Sequence, residues 1–574
     1  MPFLAEEHIA IPNKDLLSWM FDDQKYDQDK PIYVDTVNPS RAICSRQART
    51  LVRKLCAGFK QVGLQKDDCV CILSFNNIYY PMAFLGIMSF GGIFAGSNPS
   101  HTPYELAHAF KIAAVQALLV EPELLPNALK AAKQCNISYS RIFIFDHQTP
   151  LSTPSDWRDR AGEGLGAEEK WGGMKSWRCL MECGESDWER WDDEKMSKEK
   201  TAARLFSSGT TGLPKAVDMS HYNFVAQHTM VLEYKPRDYE VIRLLCTPMF
   251  HVSNVPRAHT SPLRGGLRTY VMKRFELEPW LRNVEGFGIT EANLVPPMVI
   301  QIINSPLTKK YSLHSIRNAW AGAAPLAAKP QARFKALLRS SAPFNQVWGM
   351  SETSCIATMT HYPEHDPTGS VGQFLPNLDS KLVDDEGNDI TGYDVAGELC
   401  VRGPLIVKGY FGNEEANRLS WDKDGYFRTG DVAVRKKENG LWYIVDRKKE
   451  LIKVRGFQVA PAELEGVLLM HPDIADAAVL GVPAGGSAGV VGESGSADGA
   501  GRSGSEVPRA YLVRRKGSAL TESQIQAYMR EILAGYKQLD GGIKFLAAIP
   551  KNASGKILKK ELREMAGRDM AARL

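Results

Sequence analysis

LFSSGTTGLPKAV, residues 205–217, is the stretch of this sequence that says most about its fold. An apolar approach over 202–206 runs into small hydroxyl residues set between glycines, and the loop ends at Pro214 and Lys215. In such a loop the backbone N–H groups and the hydroxyls converge on one place, which is how a chain holds phosphate oxygens. Pro214 rather than Gly precedes Lys215, so this is not a Walker A loop. The loop predicts a phosphate site, although a solvated Ser/Thr/Gly turn has the same composition.

Short apolar strands alternate with amphipathic helices on the N-terminal side of this loop. The sequence predicts strands at 69–75, 91–96, 116–120 and 141–145, separated by helices at 45–60, 78–88 and 102–113. Strands that alternate with helices in this way build parallel α/β layers. From Lys381 onward the pattern is that of antiparallel strands, with a hairpin around Glu386-Gly387.

Two segments fall outside the alternation. The segment 150–200 is rich in Trp, Gly and charge and predicts a variable surface excursion. The segment 485–504 is Gly/Ser-rich and predicts a flexible loop between the strand patterns at 477–482 and 509–513. Its glycines lack a strand–turn–helix frame, so they do not indicate a dinucleotide site. The tail, 521–574, has the pattern helix, strand, helix.

The composition is that of a globular protein with little excess charge. Of 574 residues, 44% are hydrophobic and 24% are charged, which excludes disordered and collagen-like classes. Lys and Arg number 70 against 66 Asp and Glu, a net charge of +4 that argues against a nucleic-acid-binding protein. The ten cysteines show no zinc-site spacing and predict reduced thiols in an intracellular protein.

The sequence predicts neither a secretory leader nor a membrane span. The N-terminus, MPFLAEEHIA, has no basic segment followed by an apolar one. The apolar stretch 78–96 is interrupted by Pro81 and several glycines and is only about as long as a minimal span. A buried helix that runs into a strand is the better interpretation.

Further segments carry residues suited to nucleotide chemistry. VWGMSET (347–353) places Trp348, a flat face for a base, before the hydroxyl of Ser351 and the carboxylate of Glu352, a ligand that Mg²⁺ accepts. In YFRTGDVA (426–433), Asp431 follows a Gly turn, where a carboxylate can accept hydrogen bonds from ribose hydroxyls. A core Trp and a hairpin Asp are the plain alternatives.

Two basic segments lie near the C-terminal end. The run 446–465 is basic and turn-rich and leads into a helix near Pro461. IPKNASGKILKKEL (549–562) places Lys556 after Ser554-Gly555, on what the pattern predicts to be a mobile loop before a helix. Solvated lysines are the plain alternative for both.

Together and in this order, these segments resemble the adenylate-forming superfamily, which contains acyl- and aryl-CoA ligases, luciferases and peptide-synthetase adenylation domains. The likeness is strongest to the 4-coumarate–CoA-ligase-like branch, particularly its fungal members, and covers roughly 40–565. It implies an α/β fold with a large N-terminal domain, 1–448, of two parallel-type sheets with helices and a small β-barrel subdomain. A small, mobile α+β C-terminal lid domain, 449–574, would carry the 485–504 insertion.

The resemblance also implies roles for the residues around the nucleotide. The phosphate loop would consist of Ser207, Ser208, Gly209, Thr210, Thr211, Gly212 and Lys215, with Ser208, Thr210 and Thr211 on the β and γ phosphates. Gly322, Ala323, Ala324 and Pro325 would line the adenine and acyl pockets, and Trp348, beside Gly349, replaces a stacking Tyr. Ser351 replaces a Thr at the α-phosphate, Glu352 would bind Mg²⁺, and Asp431 with Arg447 would hold the ribose.

The other implied roles concern the acid, the thiol and the small domain. Lys556 would be the catalytic lysine, Gln458 would act in the adenylation half, and Lys449 would be the hinge. Arg455 and Gly456 would lie along CoA pantetheine after the small domain rotates, and His251 would stand between the acyl tunnel and the nucleotide.

The activity that the resemblance implies is ATP-dependent acid–CoA ligation. ATP, Mg²⁺ and coenzyme A would be used to make an acyl adenylate and then a thioester, with a fatty or aryl acid in fungal specialised metabolism or peroxisomal acyl activation. An acyl-AMP ligase that loads a carrier-protein phosphopantetheine is one alternative, and a luciferase-like oxygenase shares the first half-reaction. A non-catalytic nucleotide-binding scaffold is the alternative from another class.

Four segments are expected to line the acyl pocket, namely 251–255, 293–299, 320–324 and 344–348. They are mostly small and apolar, which suits an aryl or a medium-to-long aliphatic acid. An amino acid would need a buried carboxylate for its ammonium group, and these segments contain none. The pocket segments do not distinguish a fatty acid from an aromatic one.

The last three residues, Ala572-Arg573-Leu574, resemble the S-K-L peroxisomal address. They predict a peroxisomal protein that an import receptor recognises, and a cytoplasmic protein otherwise.

Overall fold

In a computed structural model, the structure describes residues 1–147, 173–207, 214–447, 450–454, 457–484, 506–533, 535–552 and 555–571. These residues form an α/β protein with several sheets and a separate C-terminal unit, which confirms the predicted fold class. The segments 148–172 and 485–505 and the tripeptide 572–574 lie outside the described residues, so the predictions for them stay predictions.

The described strands and helices follow the chain in this order. The strands are β1 Pro31–Asp35, β2 Ala42–Cys44, β3 Cys69–Leu73, β4 Ile93–Gly96, β5 Val115–Val120, β6 Ile142–Ile144, β7 Thr201–Ser207, β8 Lys215–Ser220, β9 Ile242–Leu245, β10 Arg268–Val271, β11 Glu291–Leu294, β12 Asn318–Ala321, β13 Phe344–Met350, β14 Cys355–Met359, β15 Gln373–Phe374, β16 Asp379–Val383, β17 Ala396–Arg402, β18 Gly409–Tyr410, β19 Phe427–Arg435, β20 Trp442–Arg447, β21 Ile452–Val454, β22 Phe457–Val459, β23 Ile474–Pro483, β24 Glu506–Arg514 and β25 Ile543–Phe545. The α-helices are Leu16–Phe21, Ser45–Gln61, Tyr80–Ser89, Pro103–Ile112, Leu125–Gln134, Glu194–Glu199, His221–His228, Val255–His259, Ser261–Gly265, Leu277–Gly286, Pro296–Ile303, Ala328–Lys335, Glu414–Ser420, Pro461–Leu469, Glu522–Ile532 and Lys559–Ala571.

The alternation before the phosphate loop builds one sheet. Strands β7, β4, β3, β5 and β6 pair in parallel in that order, and β8 and β18 add antiparallel strands at the β7 edge. The helix Tyr80–Ser89 is buried along its whole length and precedes β4, as the apolar stretch predicted. The helix Pro103–Ile112 begins at a capping box, in which Glu105 accepts from the Thr102 N–H at 2.7 Å.

A second sheet, together with the chain that follows its strands, forms part of the wall of a cavity. Its strands β13, β12, β11, β9, β10 and β1 are parallel, and β2, β14 and β15 are antiparallel at its two edges. The carboxyl ends of neighbouring parallel strands open at one edge of a sheet, where open α/β proteins bind their ligands. The residues that directly follow β11, β12 and β13 at this edge include predicted site residues.

The strands expected to form a β-barrel subdomain make a four-stranded sheet in the part of the chain that the structure describes. Strands β16, β17, β19 and β20 are antiparallel in that order, and β16 and β20 are the two edges. The hairpin predicted around Glu386-Gly387 is present. Its turn is closed by a hydrogen bond in which the Asp384 N–H donates to the Asn388 carbonyl oxygen at 3.1 Å. The prediction of antiparallel strands is confirmed, and that of a small β-barrel stays a prediction.

The C-terminal unit has its own small cores. Strands β23 and β24 form an antiparallel pair with β25 parallel to β24, and β21 pairs with β22. Leu464, Val479, Leu512, Ile525 and Met529 are among the residues of its main buried cluster. The unit contacts the rest of the chain at Gly555, where an added Cβ would lie 2.9 Å from Pro297.

Two negative findings concern the described residues. Among them, no helix is long and apolar enough to cross a membrane. The ten cysteines, all of which are described, form no disulfide.

Buried neutral histidines make the fold sensitive to acid. Burial lowers the pKa of His221 and of His259 to about 3, and that of His361 to about 4. His221 accepts the Leu16 N–H at 3.2 Å on Nδ1, and His259 stacks on Phe84 with ring centroids 4.3 Å apart. Both are therefore neutral side chains built into the core.

We predict that stability falls as the pH drops from 6.5 toward 4. The unfolded chain protonates each histidine near pH 6.5, whereas the folded chain does not, so at pH 5 each costs about 2 kcal/mol. Urea unfolding at pH 7.5 and pH 5 measures the loss. The His259→Gln variant should lose less stability than the parent between these pH values, and His314→Gln, at an exposed position, should match the parent. Equal losses in all three proteins would contradict the prediction.

Candidate active site

One cavity of about 800 Å³ brings together residues predicted far apart in the sequence. That volume lies within the range for small-molecule sites. The predicted site residues that line it are Ser207, Lys215, His251, Gly322, Ala323, Gly349, Ser351, Glu352 and Lys556. The N-terminal region and the C-terminal unit thus share this cavity.

The two ends of the phosphate loop are held side by side. Ser207 ends β7 and Lys215 begins β8, and the two residues are register partners across that antiparallel pair. The loop residues between them, Ser208, Gly209, Thr210, Thr211 and Gly212, lie outside the described residues, so their role stays a prediction.

Lys215 and Glu352 face the cavity with Tyr410 between them. The Lys215 ammonium lies 4.4 Å from the centroid of the Tyr410 ring, and the Tyr410 hydroxyl donates to Glu352 Oε1 at 2.9 Å. Burial and the charge of Glu352 raise the pKa of the Tyr410 phenol. Tyr410 is therefore a protonated donor that fixes the orientation of the Glu352 carboxylate.

The backbone around Glu352 is tightly constrained. An added Cβ on Gly349 would lie 1.6 Å from the Cys355 carbonyl oxygen, so only glycine allows this approach. Ser354 has φ of 56° and Cys355 has φ of 115°, a reversal that returns the chain into β14. Such conformations cost on the order of 1–3 kcal/mol each and are concentrated at functional sites.

Trp348 and Asp431 contact each other beside the cavity. The Trp348 indole N–H donates to Asp431 Oδ2 at 2.8 Å, and Trp348 is 7% exposed. Neither residue is among those that line the cavity, whereas Thr429 and Gly430 are. The expected open aromatic face at Trp348 is packed edge-on to Phe374 in this structure.

His251 and Lys556 approach each other across the boundary between the N-terminal region and the C-terminal unit. His251 Nδ1 accepts the Ser253 N–H at 3.2 Å, so the proton of the neutral ring is on Nε2. Burial, reinforced by the positive charge of Lys556, lowers the pKa of His251 to about 4. Lys556 is held by its neighbour Asn552, whose Oδ1 accepts the Lys556 N–H at 2.9 Å. A neutral imidazole and a lysine thus share the cavity.

The remaining predicted residues are described only in part. Arg447 pairs with Asp431 in the β19–β20 register, and Gln458 pairs with Lys453 in the β21–β22 register, but the side chains of Arg447 and Gln458 are not described. Lys449, Arg455 and Gly456 lie outside the described residues. Ala324 follows the lining residue Ala323 but is not itself in the cavity wall.

The four segments expected at the acyl pocket each contribute to the wall. Val252, Leu294, Val295, Gly322 and Val347 lie there. The structure adds residues that sequence reasoning missed, namely Arg257, Cys355, Tyr410 and the pair of Arg428 and Glu398, joined at 2.8 Å. Arg257 lies two positions beyond the predicted segment 251–255, and no local motif marks it as a residue of the cavity wall.

No preformed cluster of three or more His, Cys, Asp or Glu suited to a metal occurs in the ranges that the structure describes. Glu352, with one oxygen held by Tyr410, is a carboxylate at the cavity wall. Magnesium in phosphoryl-transfer sites uses one or two carboxylates together with substrate phosphates. The residues present fit that mode.

The chain matches known families over most of its length. Residues 21–411 match the model of the AMP-binding enzymes, and residues 463–556 match the model of the AMP-binding enzyme C-terminal domain. A phenylacetyl-CoA ligase from Aspergillus niger is 46% identical, over 98% of this chain and 99% of the relative. A nicotinic acid–CoA ligase from Penicillium canescens is 35% identical, over 96% of this chain and 97% of the relative.

Solved structures share the fold. An anthranilate CoA ligase in complex with anthranoyl-AMP superposes with a TM-score of 0.81 at 21% identity, over 99% of both chains. ATP-bound MatB from Rhodopseudomonas palustris has a TM-score of 0.79 at 22% identity, over 96% of this chain and 98% of that one. The chain therefore belongs to the family of AMP-binding enzymes, alongside the fungal acyl-CoA ligases.

Proposed function

We propose that this enzyme is an AMP-forming acid–CoA ligase. A carboxylate oxygen attacks the α-phosphorus of ATP, pyrophosphate leaves, and an acyl adenylate forms. The thiol of CoA then attacks the acyl carbon, AMP leaves with the oxygen that joined it to the acyl group, and a thioester remains. The observation that carries the proposal is that Lys556 of the C-terminal unit lines the same cavity as Lys215 and Glu352.

The cavity supplies the charges that the first step needs. The acid and ATP are both anions, so their encounter requires cations that are already in position. Lys215 and Lys556 reach the cavity wall on separate elements. Cations fixed in a site that excludes water stabilise the charge that develops on the phosphate oxygens, and fixed positions keep the reactants aligned.

Glu352 supports a role for Mg²⁺ in this reaction. Its carboxylate lines the cavity, and Tyr410 orients it through a 2.9 Å hydrogen bond. The ion would neutralise phosphate charge as pyrophosphate departs.

His251 is suited to the second step, the attack of the CoA thiol, because its side chain is uncharged. With a pKa lowered to about 4, the imidazole carries no charge at neutral pH. Because the His251 ring is neutral, the positive charge beside it comes from Lys556. The C-terminal unit brings that charge in or withdraws it. Lids of this kind commonly separate the two halves of a reaction.

The relatives and the cavity wall support an aromatic or aliphatic acid as the substrate and CoA as the acyl acceptor. Those relatives are named for phenylacetyl-CoA and for nicotinic acid–CoA ligation, and the wall residues Val252, Leu294 and Val347 are apolar. A carrier-protein phosphopantetheine presents the same thiol arm as CoA. Incubation with a panel of acids, ATP and CoA, followed by mass spectrometry, tests the acceptor. Acyl-CoA in the absence of any carrier supports the proposal, and acyl-AMP that accumulates without thioester would overturn it.

Replacement of Lys556 by Ala should remove acid activation and spare thiolysis. Loss of one key electrostatic donor costs about 10²-fold or more. We therefore expect pyrophosphate release to fall by that factor, while the conversion of supplied acyl-AMP and CoA into acyl-CoA changes little.

The matched control is Lys560→Ala, since Lys560 is an exposed lysine close to Lys556 in the chain. It should retain the parent rate in both assays. A Lys556→Ala enzyme with full pyrophosphate release would contradict the role of this lysine.

Replacement of Glu352 by Gln should weaken the dependence on Mg²⁺. Loss of a carboxylate ligand should raise the Mg²⁺ concentration for half-maximal rate at least about tenfold. Magnesium titration of AMP formation measures this value. Glu415→Gln, at an exposed carboxylate on the cavity rim, should titrate like the parent. An unchanged Mg²⁺ requirement in Glu352→Gln would assign the metal to another residue.

A further inference from the structure

Arg257 is a buried cation on the cavity wall. It belongs to the helix Val255–His259, is 5% exposed, and lines the cavity. Its Nε and Nη1 atoms are buried and have no hydrogen-bond partner among the described residues. Buried guanidinium groups are normally paired, because an unpaired buried charge is costly. Arg257 is therefore an exception that requires a ligand or another explanation.

The nearby carboxylate of Glu291 is occupied by other arginines. Arg237 Nε lies 3.1 Å from Glu291 Oε1, and Arg243 Nη2 lies 2.9 Å from Glu291 Oε2. The Tyr239 hydroxyl also lies 3.4 Å from Oε1. Three arginines thus lie around one glutamate. Because Arg237 and Arg243 bind its two oxygens, the positive charge of Arg257, which reaches the cavity, is not neutralised by that carboxylate.

The other neighbours of Arg257 do not neutralise it. Its guanidinium lies 4.6 Å from the centroid of the Trp320 ring, which gives a cation–π contact but accepts no N–H hydrogen bond in the guanidinium plane. Burial raises the pKa of the Cys355 thiol to about 12, so that group is uncharged. Burial and Arg243 lower the pKa of Arg257 to about 9, and the guanidinium stays charged at neutral pH.

Arg257 and Lys556 have different neighbours in the cavity. The charge of Lys556 acts on His251, whereas Arg257 lies among Trp320, Cys355 and the arginines that bind Glu291. The reacting carboxylate has to meet ATP on the Lys556 side. Arg257 is then left to face the opposite end of the acid.

We propose that Arg257 determines substrate specificity by binding a hydrogen-bond acceptor, best of all a second carboxylate, at the end of the acid remote from the reacting carboxylate. This inference rests on the proposed ligase function and narrows its substrate class. A guanidinium binds carboxylates through two parallel N–H bonds, and a site built for such a partner discriminates against an acid without it.

Matched pairs of acids test the inference. Straight-chain acids of four to ten carbons are compared with the dicarboxylic acids of the same length, and phenylacetate with 4-carboxyphenylacetate, by kcat/KM for AMP formation. In the parent enzyme the acceptor-bearing member should be favoured at least tenfold at the best length. In Arg257→Met that ratio should fall to about one, mainly through KM, while kcat/KM for the apolar members stays the same or rises.

Two further variants keep the test decisive. Arg257→Lys retains the charge without the bidentate geometry, and its ratio of kcat/KM between the two acids of each pair should be intermediate. This variant also allows the ratio to be measured if Arg257→Met does not fold. Arg264→Met is the control, because Arg264 likewise stacks on a tryptophan, 4.9 Å from Trp19, but is not in the cavity wall. It should keep the parent ratio.

Three results would overturn the inference. The first is a parent ratio near one in every pair. The second is an equal loss of kcat/KM for both members of each pair in Arg257→Met, which would place Arg257 at the reacting carboxylate or in a packing role. The third is a ratio that survives in Arg257→Met. Absence of AMP formation with any acid would instead overturn the ligase proposal itself, so the two failures are distinguishable.

Discussion

In the proposed reaction two anions meet in this cavity, and their mutual repulsion is the constraint on which the account of the site depends. At 4 Å, two unit charges in a medium of effective dielectric constant 20 interact by about 4 kcal/mol. The chain has a net charge of only +4, so the cations have to be concentrated locally. Lys215 and Lys556 reach the same cavity from two different elements.

The fold supplies these cations from separate layers. The seven-stranded sheet contributes Lys215 at the start of β8, and the C-terminal unit contributes Lys556. Lys556 belongs to the C-terminal unit, which has buried clusters of its own. The same walls carry three carboxylates, of which Glu398 is paired with Arg428, Glu352 is oriented by Tyr410, and Glu415 lies at an exposed position.

Much of the fold follows from local sequence patterns. The strand at 69–75, the buried helix after Ile78 and the helix predicted at 102–113 are encoded by residues next to one another, so local patterns predict them well. Closure of a barrel is harder to predict, because it depends on whether the edge strands, here β16 and β20, pair with each other, and no local pattern specifies that pairing.

The candidate site was predictable where a residue lies in a short motif. Ser351, Glu352 and Lys556 line the cavity as their motifs predicted. Trp348 departs from expectation because its indole N–H binds Asp431, a contact between residues far apart in the chain. Arg257 was missed for the same reason. Its surroundings come from β9, β11 and β12, and only the folded chain reveals that Glu291 is already paired.

The central claim is that the carboxylate oxygen of the acid attacks the α-phosphorus of ATP. The most direct measurement uses an acid whose carboxylate oxygens are both oxygen-18, turned over with ATP and CoA, followed by mass spectrometry of the phosphate products. Attack at the α-phosphorus predicts one oxygen-18 atom in each AMP and none in pyrophosphate. Unlabelled AMP, or ADP together with labelled phosphate, would contradict it.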